Sequence, residues 1–477
     1  MSLSPEEAET LKRLKARLDA STQGSVDAQG RRRMGFSVLD SYYNGVQVLE
    51  QLGLAVPDDL RKFVTIVAWP GTQVDAIEER CDVEGFRLPG EPEADKGLSE
   101  VWQANDLDDE SQMGHTDSLV FGRSYVCVGS GEVPELPLVT VESPLEMAHE
   151  WSPRERDTSA AARFYTDDSG GTAVPRATLY TRDATLWLAQ NDKKEWVEDP
   201  DLPRDDHNLG RCPVVPLINR GRSHDRYGSS EMSRIITLTD AAARALTNAQ
   251  VATEVMALPQ RHAAGMSSAD FTDPVTDEMV TKWETYFGAV WATSNPDAKF
   301  GQFSAADLGN FERIVSHYAQ LVAGVTGLPL RYFGQLAANP PSAEGIRADE
   351  ARLVKTCERK SRSWGASWER VMRLVRIFQT GADDPKLASM ETLWRDPATP
   401  TRAQAADSAS KLFAQGISTK RQASRDVGFS FVQIANMEME YAENPDPVGL
   451  LASELRNADR SDPEVAPSSA PSPDVAA

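Results

Sequence analysis

The chain has 477 residues, 40% hydrophobic and 26% charged, enough for two to four ordinarily packed domains. Its 72 acidic residues outnumber 50 basic ones, a formal net charge of −22, which disfavours a basic, sequence-reading nucleic-acid binder because most of the surface repels phosphate. No apolar run approaches the roughly 20 residues that cross a bilayer, no signal-peptide apolar segment opens the chain, and Cys81, Cys127, Cys212 and Cys357 lie too far apart for a zinc-ligand spacing, so they read as reduced, mostly buried thiols.

In chain order, Ser4 and Glu7 form a capping box with Pro5 at the first helical position, and Leu11, Leu14 and Leu18 make an apolar stripe, so a short helix opens the chain. A polar linker, 21–30, follows. Arg31, Arg32 and Arg33 precede a helical segment containing Tyr42, Tyr43, Asn44 and Gly45. Beyond Lys62 the pattern predicts a strand at 64–69, a helix at 73–80 and a strand through Val83, Phe86 and Leu88, an α+β module. Helices are expected at 98–105 and 110–119 and a strand at 124–128. Short strands at 138–141, 162–165, 177–181, 185–189 and 195–197, separated by turn residues, predict an antiparallel meander. The proline-marked strand 212–217 belongs at a sheet edge.

Ser229 or Ser230 caps a helix through Met232, Ile235, Leu238, Ala242, Leu246 and Ala249 to Leu258, stopped by Pro259. The aromatic-rich segment 260–303, with Phe271, Trp283, Tyr286 and Trp291, reads as a small α/β insertion. A second helix, capped by Ser304 with Asp307, carries Leu308, Phe311, Ile314, Val315, Tyr318, Leu321 and Val325 and ends at Gly327 and Pro329. The loop 334–344 holds Asn339, Pro340 and Pro341, and no helix crosses it. Then comes a long helix, 345–379, spanning roughly 50 Å. Its stripe is Ile346, Leu353, Cys357, Trp364, Trp368, Val371, Val375 and Phe378, with Gly365 as its one interior glycine and a basic face that includes Arg347, Arg359, Lys360, Arg362 and Arg373. Helices at 401–415, 419–426 and 430–444 follow, and the proline- and serine-rich stretch 456–477 reads as disordered.

No phosphate loop, dinucleotide fingerprint, zinc-protease motif or calcium loop is present. The six histidines are scattered, and Asp106, Asp108, Asp109 and Glu110 read as a solvated helix start. The chain therefore offers no catalytic residue, no metal ligand set and no cofactor site.

The order of these elements resembles that of the portal proteins of tailed bacteriophages, most of all those of long-tailed phages of actinobacteria. The residues that carry it are YYNG at 42–45, NDLDDE at 105–110 with LVFGRSYV at 119–126, YGSSEMSRIITLTDAAAR at 227–244, LPQRHAAG at 258–265 and TGLPLRYFG at 326–334. The match runs over about residues 30–445. It implies a portal fold with wing, stem, clip and crown regions: an N-terminal helix and linker at 1–29, a wing at 30–225, stem helices at 226–258 and 304–333, a clip at 259–303, a tunnel loop at 334–344, a long wing helix at 345–381, a crown at 382–445 and a disordered tail at 446–477.

The resemblance implies a homo-oligomeric ring, usually of twelve subunits, at one capsid vertex of the virion, assembled in the host cytoplasm. Such a ring passes double-stranded DNA without sequence specificity. It docks the terminase large subunit and a head-tail adaptor, meets the major capsid and scaffold proteins, and touches no membrane. Ile235, Leu238, Leu246, Phe311, Ile314 and Tyr318 would belong to the stem, Phe271, Trp283, Tyr286 and Trp291 to clip contacts, and Gln335, Leu336, Asn339, Pro340, Pro341 and Ser342 to the channel loop. With no basic residue there, the loop would meet DNA sterically. The competing readings are another virion protein, for head completion or scaffolding, and an enzyme with an unrecognised site; closed rings with a central hole separate the first reading from both.

Overall fold

A computed structural model describes residues 3–443 except 27–31, 49–63, 92–93, 134, 169–172, 192, 257–260, 266–295, 303–307, 336–341, 399–401 and 430. The chain divides into two units, Met1–Pro397 and Ala398–Ala477.

In the first unit the Ser4–Glu7 box closes helix α1 (Pro5–Gln23): the Glu7 N–H donates to the Ser4 hydroxyl at 3.3 Å and the Ser4 N–H to the Glu7 carboxylate at 2.9 Å. The helix extends past the expected boundary, through Ser21 to Gln23, until Gly24 ends it at φ +84°. Ser25–Val26 (β1) then pairs antiparallel with Arg32–Arg33 (β2), so the described part of the expected linker is ordered structure. Helix α2 (Phe36–Tyr43) ends where YYNG begins its turn, with Gly45 at φ +67°.

Residues 64–68 are not the predicted strand. Helix α3 (Trp69–Glu78) starts at Trp69, and Pro70 in its first turn has no N–H to give a sheet. The Thr65 N–H instead donates to the Thr247 hydroxyl at 3.1 Å. Strand β3 (Val83–Arg87) and helices α4 (Lys96–Ala104) and α5 (Leu107–Phe121) follow.

Two antiparallel sheets come next. One is three-stranded, in the order β11 (Val214–Ile218), β4 (Arg123–Val133), β5 (Leu136–Glu142). Proline-marked β11 lies at its edge, as expected. The other is the predicted meander, in the order β10 (Trp196–Glu198), β9 (Thr185–Gln190), β8 (Val174–Tyr180), β7 (Asp157–Asp167), β6 (Met147–Ser152). Sequence reasoning missed β6 because Met147, Ala148 and His149 are all buried, which erases the period of two. Leu11, Leu14 and Leu18 of α1 pack into one cluster with Ala148, Ala160, Ala162, Ala177, Leu179 and Leu186 of the meander. Small alanines let the helix approach the sheet, and each buried leucine contributes at most about 1.5–3 kcal/mol.

The larger core forms around helix α8 (Ala343–Thr380), whose start is capped by Ser342 accepting from the Gly345 N–H at 3.2 Å and whose end is Gly381 at φ +71°. At 38 residues it spans roughly 57 Å. Leu353, Cys357, Trp364, Trp368, Val371 and Val375 are buried as the stripe predicted, while Ile346 stays exposed. Gly365 has a definite reason: a Cβ there would lie 3.1 Å from Trp394 Nε1, and the Thr392 hydroxyl donates to the Gly365 carbonyl at 3.1 Å. Those contacts come from a strand that sequence reasoning missed, β14 (Glu391–Trp394), paired with β3. Four residues with a partner some 300 positions away leave little local signal.

The second unit holds α9 (Arg402–Ala414), α10 (Lys420–Asp426) and α11 (Phe431–Glu443), with Thr419 capping α10 and Ala405, Ala409 and Ile434 buried. The segment expected as one module at 382–445 is thus split, since β14 is built into the first unit. Residues 456–477 lie outside the described residues. All four cysteines are free and buried. No helix among the described residues is long and apolar enough to cross a membrane.

Candidate functional site

Helix α6 (Ile236–Met256) and helix α7 (Gly309–Thr326) pack on each other, and between them β12 (Arg261–Ala264) pairs antiparallel with β13 (Lys299–Gln302), so the chain leaves along one helix and returns along the other. The predicted cap before α6 forms differently. The Met232 N–H donates to the Ser230 hydroxyl at 3.2 Å, but the turn it closes is a 3-10 turn (Met232–Arg234), because the Ile235 N–H reaches back only three residues to the Met232 carbonyl.

The root of this hairpin is buried and its outer part is not. Met232, Ile235, Ile236, Thr239, Ala242, Ala243 and Thr247 are buried, and beyond Thr247 no described residue of α6 is. On α7 only Ala319 and Val322 are buried. The hydroxyls of Thr239, Thr247 and Thr253 donate to carbonyls four residues back at 2.8–3.0 Å, so each of the three finds its acceptor on its own stretch of chain. Of the predicted stem residues, Ile235 is in the core, Leu238, Leu246, Phe311 and Tyr318 are half-buried, and Ile314 is 44% exposed. Ile314, Leu321 and Val325, spaced by seven and four, put an exposed apolar stripe on one face of α7.

The base of the loop after α7 is clamped. Gly327 ends α7 at φ +78°, where a Cβ would meet the Arg352 side chain at 2.5 Å, and Arg352 Nη1 donates to the Gly324 carbonyl at 3.1 Å. Phe333 is buried edge-on to Trp69 with ring centroids 5.9 Å apart. Arg331 pairs with Glu350 of α8, and Arg80 reaches the same carboxylate at 3.3 Å. Of the predicted loop residues, Gln335 is half-buried and Ser342 is the exposed cap of α8; Leu336, Asn339, Pro340 and Pro341 lie outside the described residues. So do Ser304 and Asp307 and the predicted contacts Phe271, Trp283, Tyr286 and Trp291.

A buried polar anchor holds the hairpin to α8, and sequence reasoning missed it. Glu231, with a side chain 2% exposed, pairs with Lys360 at 2.6 Å and takes both arms of Arg220, while Lys360 also reaches Asn219. Burial alone would raise the Glu231 pKa, but Arg220 and Lys360 overcome it and hold the carboxyl at about 2. Burial lowers the Lys360 pKa, opposed by Glu231. Lys360, expected on the basic face of the helix, is instead buried and paired. The period that buries Cys357 and Trp364 also turns position 360 inward, and that signal was readable.

The remaining basic residues of α8 divide. Arg376 pairs with Asp95 and Arg373 with Asp383, each at 2.6 Å, whereas Arg347, Arg359 and Arg362 are exposed and make no ion pair among the described residues. Beside the anchor, His115 stacks on Trp364 at 4.3 Å between ring centres and accepts from Trp368 Nε1 at 3.0 Å; burial pushes its pKa down to about 3, so it stays neutral. Among the described residues no group of three or more His, Cys, Asp or Glu could hold a metal ion. The described part of the hairpin is thus tied to α8 by a buried polar joint at its root, and its remaining surface is more exposed.

The chain matches known proteins over most of its length. Residues 27–440 match the family model described as phage portal protein, SPP1 Gp6-like. The chain is similar to the portal protein of Mycobacterium phage D29, 41% identical over 411 residues that cover 83% of each chain. It is 39% identical to the portal protein of Mycobacterium phage L5 over 451 residues, 91% of each chain. Among solved structures, a chain in the virion of a native gene transfer agent particle aligns at TM-score 0.44 and 12% identity, covering 82% of this chain and 99% of that one.

Proposed function

The chain belongs to the phage portal proteins of the SPP1 Gp6-like family, structural components of the virion, and from that membership we propose how its elements share the work of a ring at one capsid vertex. Copies of the subunit close around a channel that conducts double-stranded DNA during packaging and ejection. Helices α6 and α7 form the stem around that channel, and 259–303 forms the clip that docks the terminase large subunit and the head-tail adaptor. The loop 334–344 faces the DNA, and α8 with the two sheets forms the wing toward the capsid shell. The helical unit from Ala398 serves as the crown. No residue is assigned a catalytic role.

One observation carries this reading: the hairpin has a buried root and an exposed apolar stripe, Ile314, Leu321 and Val325, which a neighbouring copy would cover. Charge supports it as well. Each neutralised phosphate adds affinity and so friction for a moving duplex, and a subunit of net charge −22 avoids deep phosphate wells along a channel. Electron microscopy of the purified protein tests the proposal. Closed rings with a central hole are expected, and a protein that stays monomeric at every concentration would sink it.

A further inference from the structure

A cavity of about 420 Å³ lies between α1, α2, the start of β4 and the turn preceding α6. Its lining carries three guanidinium groups, Arg17, Arg33 and Arg123, against a single carboxylate, Asp225. That carboxylate is already engaged, pairing with Arg33 and accepting from the Tyr227 N–H at 3.1 Å.

Arg123 is only 5% exposed. Its Nε donates to the Tyr125 hydroxyl at 2.9 Å, Nη1 to the Tyr227 carbonyl at 3.1 Å and Nη2 to the Ser21 hydroxyl at 3.0 Å. All three acceptors are neutral, and they take three of the five N–H hydrogens a guanidinium offers. The group is held by stacking, 5.0 Å from the Phe36 ring and 5.7 Å from the Tyr227 ring. Arg17 also lies over Tyr227, at 4.6 Å, and makes no hydrogen bond or ion pair among the described residues. A guanidinium withdrawn from water is unfavourable unless an anion replaces the lost solvation. The positive field is felt next door: burial, with Arg123, Arg17 and Arg370 adding to it, holds the His149 pKa well below its ordinary value.

We propose that this cavity binds a phosphate-type oxyanion, with Arg17 and Arg123 as its charged clamp. Planar guanidinium forks match the spacing of phosphate oxygens, and stacking on Tyr227 and Phe36 fixes both forks before the ligand arrives. The backbone beside the cavity is equally fixed. Gly228 stands at φ +72°, and a Cβ on Gly122 would meet the Ser229 backbone at 2.7 Å, so the backbone strands of this wall are packed directly on one another.

The test is thermal unfolding of the full chain in inorganic phosphate against chloride at matched ionic strength. The wild type should gain melting temperature saturably in phosphate. Arg17→Ala, which removes no hydrogen bond of the fold, should need roughly tenfold more phosphate for the same gain, the loss expected for one charge-assisted contact. Arg123→Lys keeps the charge but loses the fork, and should weaken the response while near-UV dichroism stays native; should it misfold, the Arg17→Ala arm decides alone. An equal phosphate response in wild type and Arg17→Ala, or an equal response to chloride, overturns the site. Short double-stranded DNA in phosphate-free buffer separates the two sources of this chemistry: stabilisation that Arg17→Ala abolishes puts the phosphate on nucleic acid, and stabilisation by inorganic phosphate alone makes it a free ion.

Discussion

The second half of α8 and the returning helix α7 both place apolar residues at three- and four-residue steps. In α8 the stripe is finished inside the subunit: Trp364 and Trp368 are fully buried, and His115 and Ser118 meet their polar edges. In α7 the same kind of stripe is half finished, with Ala319 and Val322 buried and Ile314, Leu321 and Val325 exposed. Apolar spacing states that a face is to be covered; it does not state by which chain. The difference between the two helices therefore separates what stabilises one subunit from what joins several.

The largest expected effect lies on the finished side. Trp364→Ala removes a fully buried ring that stacks on His115 and donates to Ser118, and should lower unfolding free energy by about 3–5 kcal/mol in denaturant titration. A loss under about 1 kcal/mol would mean that the α8 core is looser than its burial indicates.

How much of this could be read from residues alone follows the same division. The Ser4 box, the meander, the edge strand with Pro216, the end of α7 at Gly327 and the stripe of α8 were legible because each rests on local chemistry within a few positions. Strand β14 was not, since its partner is β3; the failure of 64–68 to form a strand was half legible, in the nearby Pro70, and half not, in the distant Thr247 that takes the Thr65 N–H. In the anchor, Glu231 and Lys360 were each visible as charged residues, but their meeting is a tertiary fact. Of the candidate site, the two helices were legible as helices. Their roles in a ring came from resemblance, and physical pattern could not have assigned them.

The anchor sharpens the comparison next, because it joins the two regions. Glu231→Gln leaves Lys360 and Arg220 buried beside a neutral amide and should destabilise by about 3 kcal/mol, with Lys360→Met added to it restoring part of the loss. The pH dependence has a definite sign. The folded Glu231 pKa, about 2, lies below its ordinary 4.5, so its contribution is fully present above 4.5 and is lost as pH falls through about 2. His115 acts in a higher window: the unfolded imidazole takes a proton below about 6.5 that the buried one refuses down to about 3, so stability falls as pH falls through that range. Against the wild type, measured from pH 7 to 2, Glu231→Gln should therefore flatten the slope of unfolding free energy only below pH 4.5, leaving the upper window, where His115 and the raised Glu78 carboxyl act with opposite signs, unchanged. An unchanged slope in that variant would mean the carboxylate is not held by its partners.

The smallest expected effect on the subunit comes from the unfinished side. Replacing Ile314, Leu321 and Val325 together by glutamine exchanges three exposed side chains for a residue with good helix propensity, and no fully buried contact is removed. Subunit stability should change by less than about 1 kcal/mol in total. If a neighbouring copy covers the stripe, however, the glutamines place polar amides in the middle of that interface, and each loses water without a matching partner. Assembly should then fail while the subunit still unfolds as the wild type does, a pairing of results that Trp364→Ala cannot produce. Sedimentation of the triple variant beside denaturant titration gives both readouts from one preparation. Rings that form as readily as those of the wild type would remove this face of α7 from the subunit contacts, whereas loss of subunit stability beyond about 2 kcal/mol would show that the stripe is already covered within its own chain.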